Sequence, residues 1–83
     1  MTIKVLDTVV LTRDMPERKL RQGDVGAVVE VYPPDGLEVE FVTGSGHTQA
    51  LVTLKTSEVR PVGPADILAV RRVDAALTGP GDR

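Results

Sequence analysis

His47 is the sole imidazole of the chain and stands in the run Gly44-Ser45-Gly46-His47-Thr48. A histidine that moves protons needs an orienting partner and a reacting group within hydrogen-bond reach. Ser45 lies two residues away, but a turn built on two glycines does not hold that geometry. Neither a second His nor any Cys is present to complete a zinc site. His47 therefore reads as an exposed turn residue whose functional use would be a partner contact or a pH-sensitive contact. Glu38 and Glu40 alternate on a strand-like segment and share a face. Paired carboxylates can do acid–base work or hold a hard cation. That face is expected to be wet, so they read as a solvated strand face. With Asp35 they form a mildly acidic patch suited to a basic partner.

The third candidate is basic. Arg13, Arg18, Lys19 and Arg21 crowd one loop, with Asp14 and Glu17 among them. Such a loop could meet phosphate oxygens, an acidic protein or a nucleic acid backbone. The two acids dilute its field, and no aromatic side chain is at hand for base stacking. Ordinary surface charge is the plainer reading. Arg71-Arg72 could extend the patch, although Asp66 and Asp74 flank them. Gly23-Asp24-Val25-Gly26 is not a phosphate loop: no third glycine opens a helix, and no Gly-Lys-Ser/Thr ends it. Gly23, Asp24 and Gly26 are structural candidates, for a tight turn and a close backbone approach. The chain thus offers no catalytic, cofactor-binding or metal-binding set. Its partner-binding candidates are Arg13, Arg18, Lys19, Arg21 and His47.

Composition narrows the function further. Ten Lys and Arg against twelve Asp and Glu leave a net charge of −2, too little for a global field that attracts nucleic acid or an anionic membrane. With no Cys there is no disulfide, thiolate ligand or cysteine nucleophile. One Tyr, one Phe and no Trp make a poor stacking platform. No apolar run is long enough to span a bilayer, and Met1 to Asp7 lacks a signal peptide's apolar stretch. Eighty-three residues support one small core and little enclosed space for a substrate.

The elements that must position these residues are strands. Asp7 to Thr12 is rich in β-branched types, with apolar residues on both faces, as in a strand covered on two sides. Val25 to Tyr32 alternates: Val25, Ala27, Val29 and Val31 share one face, and Gly26, Val28, Glu30 and Tyr32 the other. Pro33-Pro34-Asp35-Gly36 reads as a turn, with Gly36 accepting positive φ. Leu37, Val39 and Phe41 then face the core while Glu38 and Glu40 face water. Gly44-Ser45-Gly46 turns the chain into a third meander strand, Thr48 to Lys55. Thr56-Ser57-Glu58 breaks it, with one helical turn an option, and Val59-Arg60-Pro61-Val62 is a short final strand. Pro61 restricts that strand to an edge or an end.

Five short strands with tight turns imply an all-β small barrel over residues 1–62. A C-terminal extension, residues 63–77, follows. It is either a helix started by Pro64-Ala65-Asp66, aligning Ile67, Val70 and Leu77, or an edge strand from Ile67 to Val73. Residues 78–83 read as a frayed tail.

Leu20 to Val31 contains Gly23-Asp24-Val25-Gly26-Ala27-Val28-Val29-Glu30-Val31. This resembles the Gly-Asp-x-Gly-x-Val-x-x-Val core of small SH3-like barrels, including KOW-type modules of ribosomal and transcription factors. More narrowly, Leu6 to Leu11, the glycine segment, Glu38 to Phe41, Ala50 to Leu54 and Val59 to Val62 together resemble the bacterial "domain of unknown function 4926" family. The resemblance covers about residues 4–62. It implies a five-stranded SH3-like barrel and a cytoplasmic bacterial protein without assigned catalytic residues. The KOW likeness implies loops that bind RNA or protein, but this chain is acidic overall. The expected function is a non-catalytic protein-binding module, an accessory subunit or inhibitory partner of another bacterial protein. It requires no cofactor and no membrane. The alternative is a nucleic-acid-binding module using loop 13–22.

Overall fold

The structure is a computed structural model and describes residues 2–73. It is all-β, with five antiparallel strands in one sheet: β1 (Thr8–Leu11), β2 (Val25–Tyr32), β3 (Gly36–Val42), β4 (Thr48–Lys55) and β5 (Val59–Pro61). Their spatial order is β4-β3-β2-β1-β5. Sequential hairpins join β2, β3 and β4. β1 sits between β2 and β5, pairing Val9 with Gly26 on one side and with Pro61 on the other. Val9, Val10 and Leu11 are all buried, as apolar residues on both faces of that strand require. The three-residue β5 lies at the sheet edge, where Pro61 needs no ladder partner for its missing N–H. Thr56–Glu58 is a single 3-10 turn, and Glu58 reaches back to accept the Lys55 N–H at 2.8 Å.

The core is wholly apolar. Leu37, Val39 and Phe41 of β3 and Ala50, Val52 and Leu54 of β4 supply alternate positions, as period-two patterning predicts. β2 departs from its expected alternation. Val28 pairs with Val39, but Glu30 pairs with Glu38 and Val31 with Leu37, so Val29 is an extra residue in a β-bulge. The bulge changes the parity of the strand. Gly26 and Val28 face inward before it, and Val31 packs against the core after it. Val31 therefore does not share the face of Val25, Ala27 and Val29.

Two other local expectations change. Gly36 does not adopt positive φ, which falls to Gly23 and Gly46. Its small size matters instead, because a Cβ there would lie 3.1 Å from the Tyr32 Cβ and carbonyl oxygen. The extension is neither helix nor strand over residues 63–73. A turn at Pro64-Ala65 leads into residues that run to Val73 without turn or bend. A helix there would have no apolar face to cover, and β5 is too short, with Pro61 as its last residue, to template another strand. Leu77 and the frayed tail expected over 78–83 lie outside the described residues.

Candidate functional site

The loop between β1 and β2 is a lid on the core rather than a charged arm. Met15 and Leu20 are 6% and 3% exposed and belong to the core cluster. Between them a 3-10 turn, Pro16–Arg18, closes the loop, and Lys19 takes left-handed φ to bring Leu20 back against Met15. This arrangement engages the side chains of Arg13 and Arg18 and the main chain of Lys19 and Arg21. Arg13 donates to the Glu58 carboxylate at 2.7 Å. The Arg18 guanidinium donates to the Leu51 carbonyl at 2.9 Å, on edge strand β4. Lys19 offers its carbonyl to Arg71, and the Arg21 N–H donates to Asp24 at 2.8 Å.

His47 lies in the β3–β4 turn and is exposed. Its carbonyl accepts the Thr43 N–H at 2.9 Å, while its ring has no hydrogen-bond partner among the described residues. No contact among the described residues joins His47 to the loop bases. Glu38 and Glu40 share the outer face of β3, as expected. Glu38 accepts from Thr53 and Tyr32, and Glu40 accepts from Thr48. Burial and the nearby Glu38 and Glu30 charges both push the Tyr32 hydroxyl pKa up. No group of three or more potential metal ligands occurs among the described residues.

What the structure does assemble is a clamped C-terminal segment. At its start Asp66 takes both guanidinium nitrogens of Arg60, at 2.8 and 3.0 Å, and also the Gly63 N–H at 2.6 Å. The Arg60 guanidinium and the Gly63 N–H hold the Asp66 carboxyl down at about 2. At its end Arg71 grips Asp24 with two hydrogen bonds, at 2.8 and 2.6 Å, and reaches the Lys19 carbonyl at 3.1 Å. Burial pushes the Asp24 carboxyl up, but hydrogen bonds from Arg71 and the Arg21 amide together outweigh it and leave the pKa lowered. Asp24, a structural candidate in the sequence, is thus the carboxylate that ties the loop to the extension.

Between the clamps lie Ile67-Leu68-Ala69-Val70. Ile67, Leu68 and Val70 are 90%, 71% and 98% exposed. Among the described residues, none of the N–H or C=O groups of residues 67–70 has a hydrogen-bond partner in the protein. Beneath the segment's C-terminal half runs a groove of about 630 Å³, lined by Leu20, Phe41, Val42, Val70, Arg71 and Val73 among others. Sequence reasoning placed an extension here, as a helix started by Pro64-Ala65-Asp66 or an edge strand from Ile67 to Val73, but foresaw neither clamp. A legible signal existed in Gly63-Pro64-Ala65-Asp66, where an acid three residues beyond a glycine can fold back onto its amide.

Among the described residues, no helix is long and apolar enough to cross a membrane. Searches of curated proteins and of solved structures each gave no match. A family model does match, over residues 5–61, which is most of the chain and nearly all of the sheet with its covering loop. The chain therefore belongs to the family described as Domain of unknown function (DUF4926).

Proposed function

We propose that this chain is a non-catalytic protein-binding module, acting as an accessory subunit or inhibitory partner in the bacterial cytoplasm. The observation that carries the reading is the segment Ile67–Val70, aliphatic throughout, held out to solvent between two bidentate Arg–carboxylate clamps. Isolated exposed aliphatics are common, but a contiguous set held in place by charged anchors is a preorganised contact surface. Its free backbone groups suit strand addition to another polypeptide. The core supports the same reading, since no polar or charged residue is buried among the described residues. The framework is best taken as an SH3-like barrel: loop 12–24 caps the core, and Arg18 in that loop bonds to the far edge strand. Arg13 and Arg18 of that loop are engaged in structural contacts, and Asp14 and Glu17 stand among its bases, which gives a nucleic-acid reading no concentrated cationic surface.

The test is capture of interacting polypeptides by the tagged chain and by its Ile67→Asp/Leu68→Glu variant. Specific capture should fall at least about tenfold in the variant, because each substitution places a charge in the contact. Equal capture by both proteins, or none by either, overturns the proposal.

A further inference from the structure

An endoprotease cuts a run of chain that can lie extended in its cleft and offer it main-chain N–H and C=O groups, as an added strand does. Residues 66–73 run without turn or bend. Among the described residues, no N–H or C=O of residues 67–70 is bonded within the protein. The two clamps act through the side chains of Asp66 and Arg71, so they fix the ends of the run and leave the main chain between them open. Leu68, near its middle, is 71% exposed. Exposure alone does not single it out. Leu6 is 80% exposed, but its N–H is bonded to the Val28 carbonyl at 2.7 Å. Its φ of 78°, in a turn closed by the Asp7 N–H on the Lys4 carbonyl, is the reverse of an extended substrate. Tyr32 and Leu51 are 45% and 47% exposed, but they lie in β2 and β4, paired with Gly36 and Glu40. Leu11, Leu20, Leu37, Phe41 and Leu54 are buried.

We propose that the Leu68–Ala69 bond is a processing site, cut by an endoprotease whose specificity pocket takes a large apolar side chain. Water adds across the amide, leaving a carboxylate on Leu68 and an amine on Ala69. The cut divides Ile67–Val70 between two chains. It leaves Arg71, on Asp24 and the Lys19 carbonyl, as a tie between the C-terminal piece and the sheet. The five strands and the core cluster all precede residue 68, so the sheet stays folded.

The experiment incubates the purified chain with chymotrypsin, a probe of that specificity, and follows intact masses with time. Within residues 2–73 the Leu68–Ala69 bond should be cut at least about tenfold faster than any other, because the others yield only when a strand or a bonded turn opens. Circular dichroism should keep its β signal after the cut. Ala69→Pro removes an unbonded N–H and presents a bond that the enzyme does not cut. Leu68→Asp removes the side chain that the pocket reads. Both variants should keep residues 2–73 whole over the time in which wild type is fully cut. An earlier cut after Leu6, Tyr32 or Leu51, loss of β signal on cutting, or equally fast loss of either variant overturns the inference. So does a Leu68–Ala69 bond that stays whole in the native chain while the same bond is cut in urea. The reaction contains no partner, so each of these outcomes leaves the binding reading of residues 67–70 standing.

Discussion

Gly26 shows how strictly one residue can be set by its neighbours. A Cβ built there would sit 2.7 Å from the Val39 Cγ1, 2.9 Å from the Phe41 Cε2 and 3.0 Å from the Glu40 carbonyl oxygen. No rotamer relieves a clash that begins at the first side-chain atom, and one of the colliding atoms is backbone. Gly26→Val should therefore cost about 1–3 kcal/mol, the range of an overpacked core, or prevent folding. Gly44 is the control, since nothing lies within 4 Å of its Cβ position and its φ is ordinary. Gly44→Ala should leave the urea midpoint within experimental scatter of wild type, while Gly26→Ala lowers it. Equal midpoints would refute the packing argument. The sequence already marks Gly26 as a close backbone approach. It cannot show that Gly36 is small for Tyr32 rather than for φ, because that depends on how the turn closes.

At the scale of elements, the β1–β2 loop and the extension exchange the roles that charge counting gives them. The loop looks like a solvated arm, yet Leu20 and Met15 make it part of the core. Leu20→Ala should cost about 2–4 kcal/mol in chemical denaturation, as a buried leucine truncation does. Arg18→Ala, which removes an exposed bond to the β4 edge, should cost less than about 1 kcal/mol. If Arg18→Ala were the worse of the two, the loop would be an electrostatic latch and not a hydrophobic lid. The extension depends on Asp24. Asp24→Asn keeps the shape of the side chain and removes the charge that meets Arg71. Backbone 15N order parameters over residues 67–73 should then fall well below those of the sheet. Equal falls across the sheet and the extension would show that the clamp is not local. Strands were readable from alternation and turn residues. The Asp66 clamp left a local signal in Gly63-Pro64-Ala65-Asp66, whereas Asp24 and Arg71 lie 47 residues apart and only the folded chain brings them together.

For the whole molecule, acid is the condition that loosens it. Among the described residues, three carboxylates have lowered pKa values: Asp24, Glu58 and Asp66. Glu58 is lowered by the Lys55 N–H and then by Arg13, and Asp66 by Arg60 and the Gly63 N–H. A carboxyl depressed on folding contributes stability that is complete above its unfolded pKa and is lost as pH falls through its folded value. The reference values are 4.5 for Glu58 and 3.8 for Asp24 and Asp66, and Asp66 reaches about 2. The melting temperature should therefore be flat with respect to these carboxyls above about pH 6 and fall from near pH 4.5 towards pH 2. The Asp24→Asn protein should show a shallower fall over that window. A wild-type curve that is level down to pH 2 would contradict all three assignments. Folding alone brings Arg13 to Glu58 and Arg71 to Asp24, so composition gives the net charge of −2 and says nothing of where acid acts.

The additional valine in β2 bears on how the chain tolerates a change in length. Val28 opposite Val39 and Glu30 opposite Glu38 are already consecutive rungs on the β3 side, and Val29 stands between them without a counterpart. Deletion of the Val29 codon would leave every cross-strand partner where it is and make the ribbon straighter. Loss of Ala27 leaves Val25-Gly26-Val28-Val29-Glu30-Val31, so Val29 takes the inward place of Val28 and Gly26 keeps its own. Drift in the length of this gene should therefore be survivable anywhere from residue 27 to residue 29, because each such deletion removes the one place that has no partner.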